Sequence, residues 1–184
     1  MFILMNIDLK SEFLNKTFIV ENFKKQRTVA DYLNVLIKNY LLNNKYSFIE
    51  DRESIIIDNY IFNIKSRNLN KSFNMGNLIS CNKFVEYLQS DKFPGYIFID
   101  YVEVNNGIKI TYIEICLLSQ IDRNILHVQN LGTGQIQLKP NSKIKIDINN
   151  DFNEYILTEI YKFYDKLIQK TIKRKNNIRE LLNG

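Results

Sequence analysis

Residues 50–77 read EDRESIIIDNYIFNIKSRNLNKSFNMGN, and the reading of this stretch decides the fold. Ser54-Ile55-Ile56-Ile57 is a β-branched run, Asp58-Asn59 is a turn dipeptide, and Tyr60-Ile61-Phe62-Asn63-Ile64 is a second apolar run. Two such runs joined by two polar turn residues predict a β-hairpin. Asp51 and Glu53 lie at the opening of its first strand, and Asn63-Ile64-Lys65 closes its second. Residues two apart on a strand share a face. Asn63 and Lys65 are therefore expected side by side, next to the acids of the neighbouring strand.

Outward from the hairpin, the pattern alternates between helix and strand. Upstream, Thr28 to Asn44 places Leu33, Leu36, Ile37, Tyr40 and Leu41 on one helical stripe. Downstream, a polar stretch from Lys65 to Asn77 precedes a short helix predicted over Asn77 to Gln89. Tyr96–Val104 and Ile108–Leu118 flank Asn105-Asn106-Gly107, a hairpin signal. Asn124–Gln129, Gly134–Leu138 and Lys143–Ile148 are further strand candidates, and a long helix is expected over about 151–181. Helix, sheet and helix within one chain predict an α/β (α+β) domain spanning 1–184, with a central mixed β-sheet flanked by helices.

Composition narrows the class. The chain has 184 residues, of which 45% are hydrophobic and 24% charged, so disorder is excluded. Its 28 isoleucines and 25 asparagines, with Ala30 the one alanine, fit an AT-rich codon bias. A net charge of +5 is compatible with nucleic acid as a partner without requiring it. Cys81 and Cys116 lack metal-ligand spacing and read as reduced core thiols; His127 is the single histidine and reads as a structural one. No zinc cluster can be assembled from this set. Gly132-Thr133-Gly134 lacks the lysine and following helix of a phosphate-binding loop and reads as a bulge or a close backbone approach. Asp8, Lys10 and Glu12 interrupt the apolar start, so no signal or membrane-spanning segment is expected and the location is expected to be cytoplasmic.

Carboxylates beside a lysine suit phosphodiester hydrolysis. The acids hold Mg²⁺, the metal polarises the phosphate and acidifies the attacking water, and the lysine stabilises charge or helps activate that water. The arrangement resembles the PD-(D/E)xK nuclease motif. Asn63-Ile64-Lys65-Ser66-Arg67-Asn68-Leu69-Asn70-Lys71-Ser72, continuing to Asn77-Leu78-Ile79-Ser80 and Lys83, further resembles the catalytic and DNA-contacting segment of HincII-like type II restriction endonucleases. Ile99–Val104 and Gln135-Ile136-Gln137 resemble a second block of that group.

The resemblance implies a restriction-endonuclease-like fold, a catalytic hairpin at about 50–66 and a DNA-contacting segment at about 66–83. It makes Lys65 the catalytic lysine and places Asn63 where the family has its second metal-binding aspartate. The first acid is Glu53 or Asp51, and the backbone carbonyl of Ile64 is a further metal ligand. Arg67, Asn68, Lys71, Ser72, Phe73, Asn74 and Asn77 fall in the DNA-contacting segment, with Gln129, Asn130, Gln135 and Gln137 on later strands. Asn and Gln suit adenine readout. The implied activity is type II site-specific cleavage of double-stranded DNA at a short palindrome. It implies a homodimer using Mg²⁺, a blunt cut and no small-molecule cofactor; the amide readers add an A·T-rich target.

Asn63 departs from that pattern. Three explanations stand at this point: an inactivating replacement of aspartate, compensation by Asp51 or Glu53, or a nuclease fold that only binds DNA. A basic RNA-associated or structural domain, with the Lys65 segment as a surface hairpin, is the reading from outside the nuclease class.

Overall fold

The computed structural model describes residues 7–51, 54–71, 76–129, 134–140, 142–147 and 151–183, with the side chains of Gln26, Asp51 and Asn183 left aside. A short helix α1 (Leu9–Phe13) and strand β1 (Thr17–Ile19) lead into α2 (Gln26–Asn43). Val29, Leu33, Ile37 and Leu41 recur along α2 and are all buried. Each contributes roughly 1.5–3 kcal/mol by leaving water.

The predicted hairpin is β3 (Ser54–Ile57) and β4 (Tyr60–Asn68), turned by Asp58 at φ 52°. β4 runs on past Ile64 through Lys65 to Asn68, further than the apolar pattern suggested, because its polar residues find partners in the adjacent strand. β2 (Ile49–Asp51) pairs antiparallel with β3. β6 (Phe93–Val104) and β7 (Gly107–Leu117) form the second hairpin, and β6 runs parallel to β4. The large sheet has the order β1-β7-β6-β4-β3-β2. Gly107 admits β1 at its edge, since a Cβ there would lie 2.0 Å from the Phe18 carbonyl oxygen.

The expected helix over 77–89 is divided. Asn77–Ser80 is a strand, β5, and only Cys81–Gln89 is helical, as α3. Leu78 and Ile79 are buried, and β5 pairs with β9 (Gln135–Leu138), so sheet packing overrides the helical pattern. Ser80 then caps α3, its Oγ accepting from the Lys83 amide at 3.2 Å. β8 (Leu126–Gln129) completes a small sheet of order β5-β9-β8. Residues 143–147 form no strand; Ile146 makes one isolated bridge to Ile121. The long helix is α4 (Phe152–Asn183).

Two apolar clusters lie on opposite faces of the large sheet. One holds α1 and α2 against Ile55, Phe62, Ile97 and Ile99; the other packs the small sheet, α3 and the start of α4 against Tyr96, Phe98 and Cys116. This is the expected α/β (α+β) architecture, a mixed sheet flanked by helices. Among the described residues no helix is long and apolar enough to cross a membrane.

Candidate active site

The register of the sheet brings the hairpin residues together. Asp51 stands opposite Ser54, Ser54 opposite Asn63, and Asn63 beside Tyr96, so these positions form one row across four strands. Lys65 follows on the same face of β4, beside Phe98. Ile64 points its side chain to the other face, into the cluster under α2. Glu53 falls outside the described residues, and for Asp51 only the backbone position is described.

Asn63 is half-buried, and its Oδ1 accepts a hydrogen bond from Ser54 Oγ at 3.1 Å. A neutral amide oxygen already so engaged does not hold a hard dication unaided. Among the described residues no three His, Cys, Asp or Glu side chains gather as a metal site. The two carboxylates that the sequence reading assigns to Mg²⁺, Asp51 and Glu53, have side chains outside the described residues. Lys65 is half-buried. Tyr96, next to Asn63, is fully buried, its hydroxyl has no hydrogen-bond partner among the described residues, and burial pushes its pKa far up.

The far end of β4 is occupied differently. Arg67 grips Asp100 with two hydrogen bonds, Nε to Oδ1 at 3.0 Å and Nη2 to Oδ2 at 2.6 Å, and donates through Nη1 to the Ser142 carbonyl at 3.0 Å. Both side chains are largely buried, at 13% and 9% exposure. Asn68 is buried and donates to Glu103 Oε1 at 2.7 Å, while its own Oδ1 accepts from the Asn70 amide at 2.9 Å. Asn70 returns the contact, its Oδ1 accepting from the Glu103 amide at 2.7 Å. Lys71 pairs with the same Glu103 carboxylate at 2.8 Å. These contacts hold the Glu103 carboxyl below the usual range, with the Lys71 hydrogen bond the leading cause. Arg67, Asn68 and Lys71, which the resemblance assigned to DNA, are thus held by carboxylates of the fold itself. Ser72, Phe73, Asn74 and Asn130 lie outside the described residues.

The small sheet carries the amide residues on one face. Gln137 stands between Asn77 and His127, and Gln135 between Ser80 and Gln129. Gln137 donates to Asn77 Oδ1 through Nε2 and accepts from Gln129 Nε2 at 3.2 Å through Oε1. Ile136 and Leu138 point the other way, into the core. His127 joins this row opposite Gln137: among the described residues its buried Nε2 has no hydrogen-bond partner, and burial lowers its pKa against the opposing effect of the Gln137 side chain.

Sequence reasoning missed the partners rather than the strand. Ser54, Asp100 and Glu103 carry the contacts of β4, and the signal for Asp100 is an acid inside the apolar run Tyr96–Val102. Burial raises the thiol pKa of Cys81 and pushes that of Cys116 up to about 12, so both behave as inert core residues. Gly134 is a packing position: a Cβ there would lie 2.9 Å from Cys81 Sγ and 3.0 Å from the Phe163 ring.

No protein-family profile and no curated protein sequence matches the chain. Among solved structures it is similar to NlaIV restriction endonuclease, at 14% identity and a TM-score of 0.57, over 88% of this chain and 79% of that one. At that identity the likeness is one of backbone, and it extends neither to the HincII-like group nor to the PD-(D/E)xK motif. The chain has a restriction-endonuclease-like fold.

Proposed function

We propose that this chain is a type II site-specific deoxyribonuclease, hydrolysing phosphodiester bonds of double-stranded DNA at a short palindrome as a homodimer. The observation that carries the reading is the row Asp51-Ser54-Asn63 with Lys65 alongside, on a sheet of restriction-endonuclease-like topology. Lys65 would stabilise the charge that develops on the scissile phosphate or help activate the attacking water. Mg²⁺ would acidify that water when bound to Asp51, Glu53 and the Ile64 carbonyl. The amide face of Asn77, Gln129, Gln135 and Gln137 would contact base edges, with an A·T-rich target and a blunt cut as the finer expectation.

Asn63 sets the level of activity in this reading. It keeps the shape of aspartate, supplies no charge and accepts from Ser54, so a carboxylate at this position is expected to speed cleavage unless Asp51 and Glu53 already compensate. A second reading, a DNA-binding protein without cleavage, is favoured by that same Ser54 contact. The two separate in one experiment. Plasmid DNA is incubated with the Asn63→Asp form and Mg²⁺, and the product ends are sequenced. Discrete fragments with a shared end sequence support the enzyme. Sequence-specific duplex retention with no scission under any divalent metal supports the binding protein.

A further inference from the structure

Helix α4 outruns the body of the protein. Phe152, Ile156 and Ile160 are buried, and Tyr164 still donates to Asn82 Oδ1 at 3.0 Å. From Ile168 to Leu182 every side chain is exposed. At 1.5 Å per residue, about 20 Å of helix stands clear of the core. A helix this short gains little stability alone in water, so packing or a ligand is the usual source of its order.

Charge on this segment is one-sided. Residues 162–184 hold seven of the 25 lysines and arginines and two of the 20 acids. The preceding 161 residues carry 18 of each, so the whole net charge of +5 sits on this stretch. Lys166, Lys170, Lys173 and Arg174 recur at spacings of three and four and form one ridge. Among the described residues none of the four is in an ion pair. A second copy of the helix on this ridge would bring like charges together, whereas a polyanion complements it.

We infer that the projecting half of α4 is a phosphate-gripping arm that holds the backbone of duplex DNA without reading its sequence. This rests on the proposed DNA substrate and adds a second contact region, on the terminal helix rather than on either sheet. Neutralised phosphates release counterions, so the arm makes affinity fall steeply with salt.

The test uses the full chain without divalent metal, a mixed-sequence DNA duplex, and fluorescence anisotropy over a salt series. Lys166→Gln with Lys170→Gln removes two charges from the ridge; Lys45→Gln with Lys92→Gln removes two exposed charges from the body. The arm pair is expected to reduce the slope of log Kd against log salt by about 2 and weaken low-salt binding roughly tenfold. The body pair is expected to leave both near the wild-type values. Equal effects of the two pairs would overturn the arm while leaving the DNA reading intact. Absence of duplex binding by the wild type, at low salt, overturns both. Loss of binding to phosphatidylserine vesicles or to duplex RNA in the arm pair, with DNA binding unchanged, overturns the arm and names its partner instead. So does a self-association that the arm pair abolishes in sedimentation.

Discussion

Asn63 and Asn68 lie on the same strand, and their amides serve different ends. Asn68 is buried, donates to Glu103 and accepts from the Asn70 amide, so both ends of its amide are committed to holding the loop after β4 against β6. Asn63 is half-buried, with its oxygen tied to one hydroxyl, Ser54 Oγ. Its surroundings differ as well: Arg67 at the Asn68 end is matched by Asp100, whereas the row through Asn63 runs across Ser54 to the backbone position of Asp51, with Lys65 two residues further along β4. One strand thus joins a structural clamp to a candidate reaction centre. Residue type alone does not tell the two apart; the partner supplied by the next strand does.

The contrast can be broken from either end. The largest effect is expected at the Asn63 end. Asn63→Asp should turn little or no plasmid cleavage into Mg²⁺-dependent, site-specific cutting, and adding Lys65→Ala should lower the single-turnover rate by at least about 100-fold. If Lys65→Ala cuts as fast as its parent, the lysine is not catalytic. At the clamp, Asp100→Ala leaves the Arg67 guanidinium buried without its carboxylate. It should cost about 3–5 kcal/mol of stability in urea titrations. A loss under about 1 kcal/mol would mean water reaches the pair and the clamp is no clamp.

Asn68→Ala should cost about 1–3 kcal/mol, since it strands the Asn70 amide and one Glu103 contact. Gln137→Ala on the small sheet should change stability by no more than about 0.5 kcal/mol while weakening retention of a cognate duplex, because its bonds are to other surface amides. The smallest effect is one of pH. Hydrogen bonds hold the carboxyls of Glu103 and Asp122 below their usual range, led by Lys71 for the first and the Asn124 amide for the second. The stability they add is present above the unfolded carboxylate pKa and is lost as pH falls through the lower folded values. Burial lowers the pKa of His127, which works the same way, since its protonation favours the unfolded chain as pH falls below its ordinary value. A thermal midpoint that rises between pH 6 and pH 4 would contradict both.

Much of this fold was legible in the sequence, and the reasons are local. Asp58-Asn59 and Asn105-Asn106 mark the β3–β4 and β6–β7 hairpins of the large sheet, and the stripe from Leu33 to Leu41 marks α2. What failed was decided by distant partners. Leu78 and Ile79 fit a helix until β9 offers them a ladder, and the polar end of β4 reads as loop until Asp100 and Glu103 arrive from beyond residue 90. At the candidate site, sequence placed Asn63 and Lys65 on one face but did not find what holds Arg67, Asn68 and Lys71 within the fold. Their carboxylate partners are far along the chain, so no short motif announces them.

The two borders of the large sheet constrain how copies of this protein meet. One ends in β1 and the other in β2, each only three residues long, and β2 carries the acids Glu50 and Asp51. Margins this short, one of them also acidic, offer few unpaired backbone groups to a neighbouring strand. Joining two copies by running the large sheet continuously through both is therefore disfavoured, which leaves the helices, the loops and the small sheet as the parts from which any dimer contact would be built.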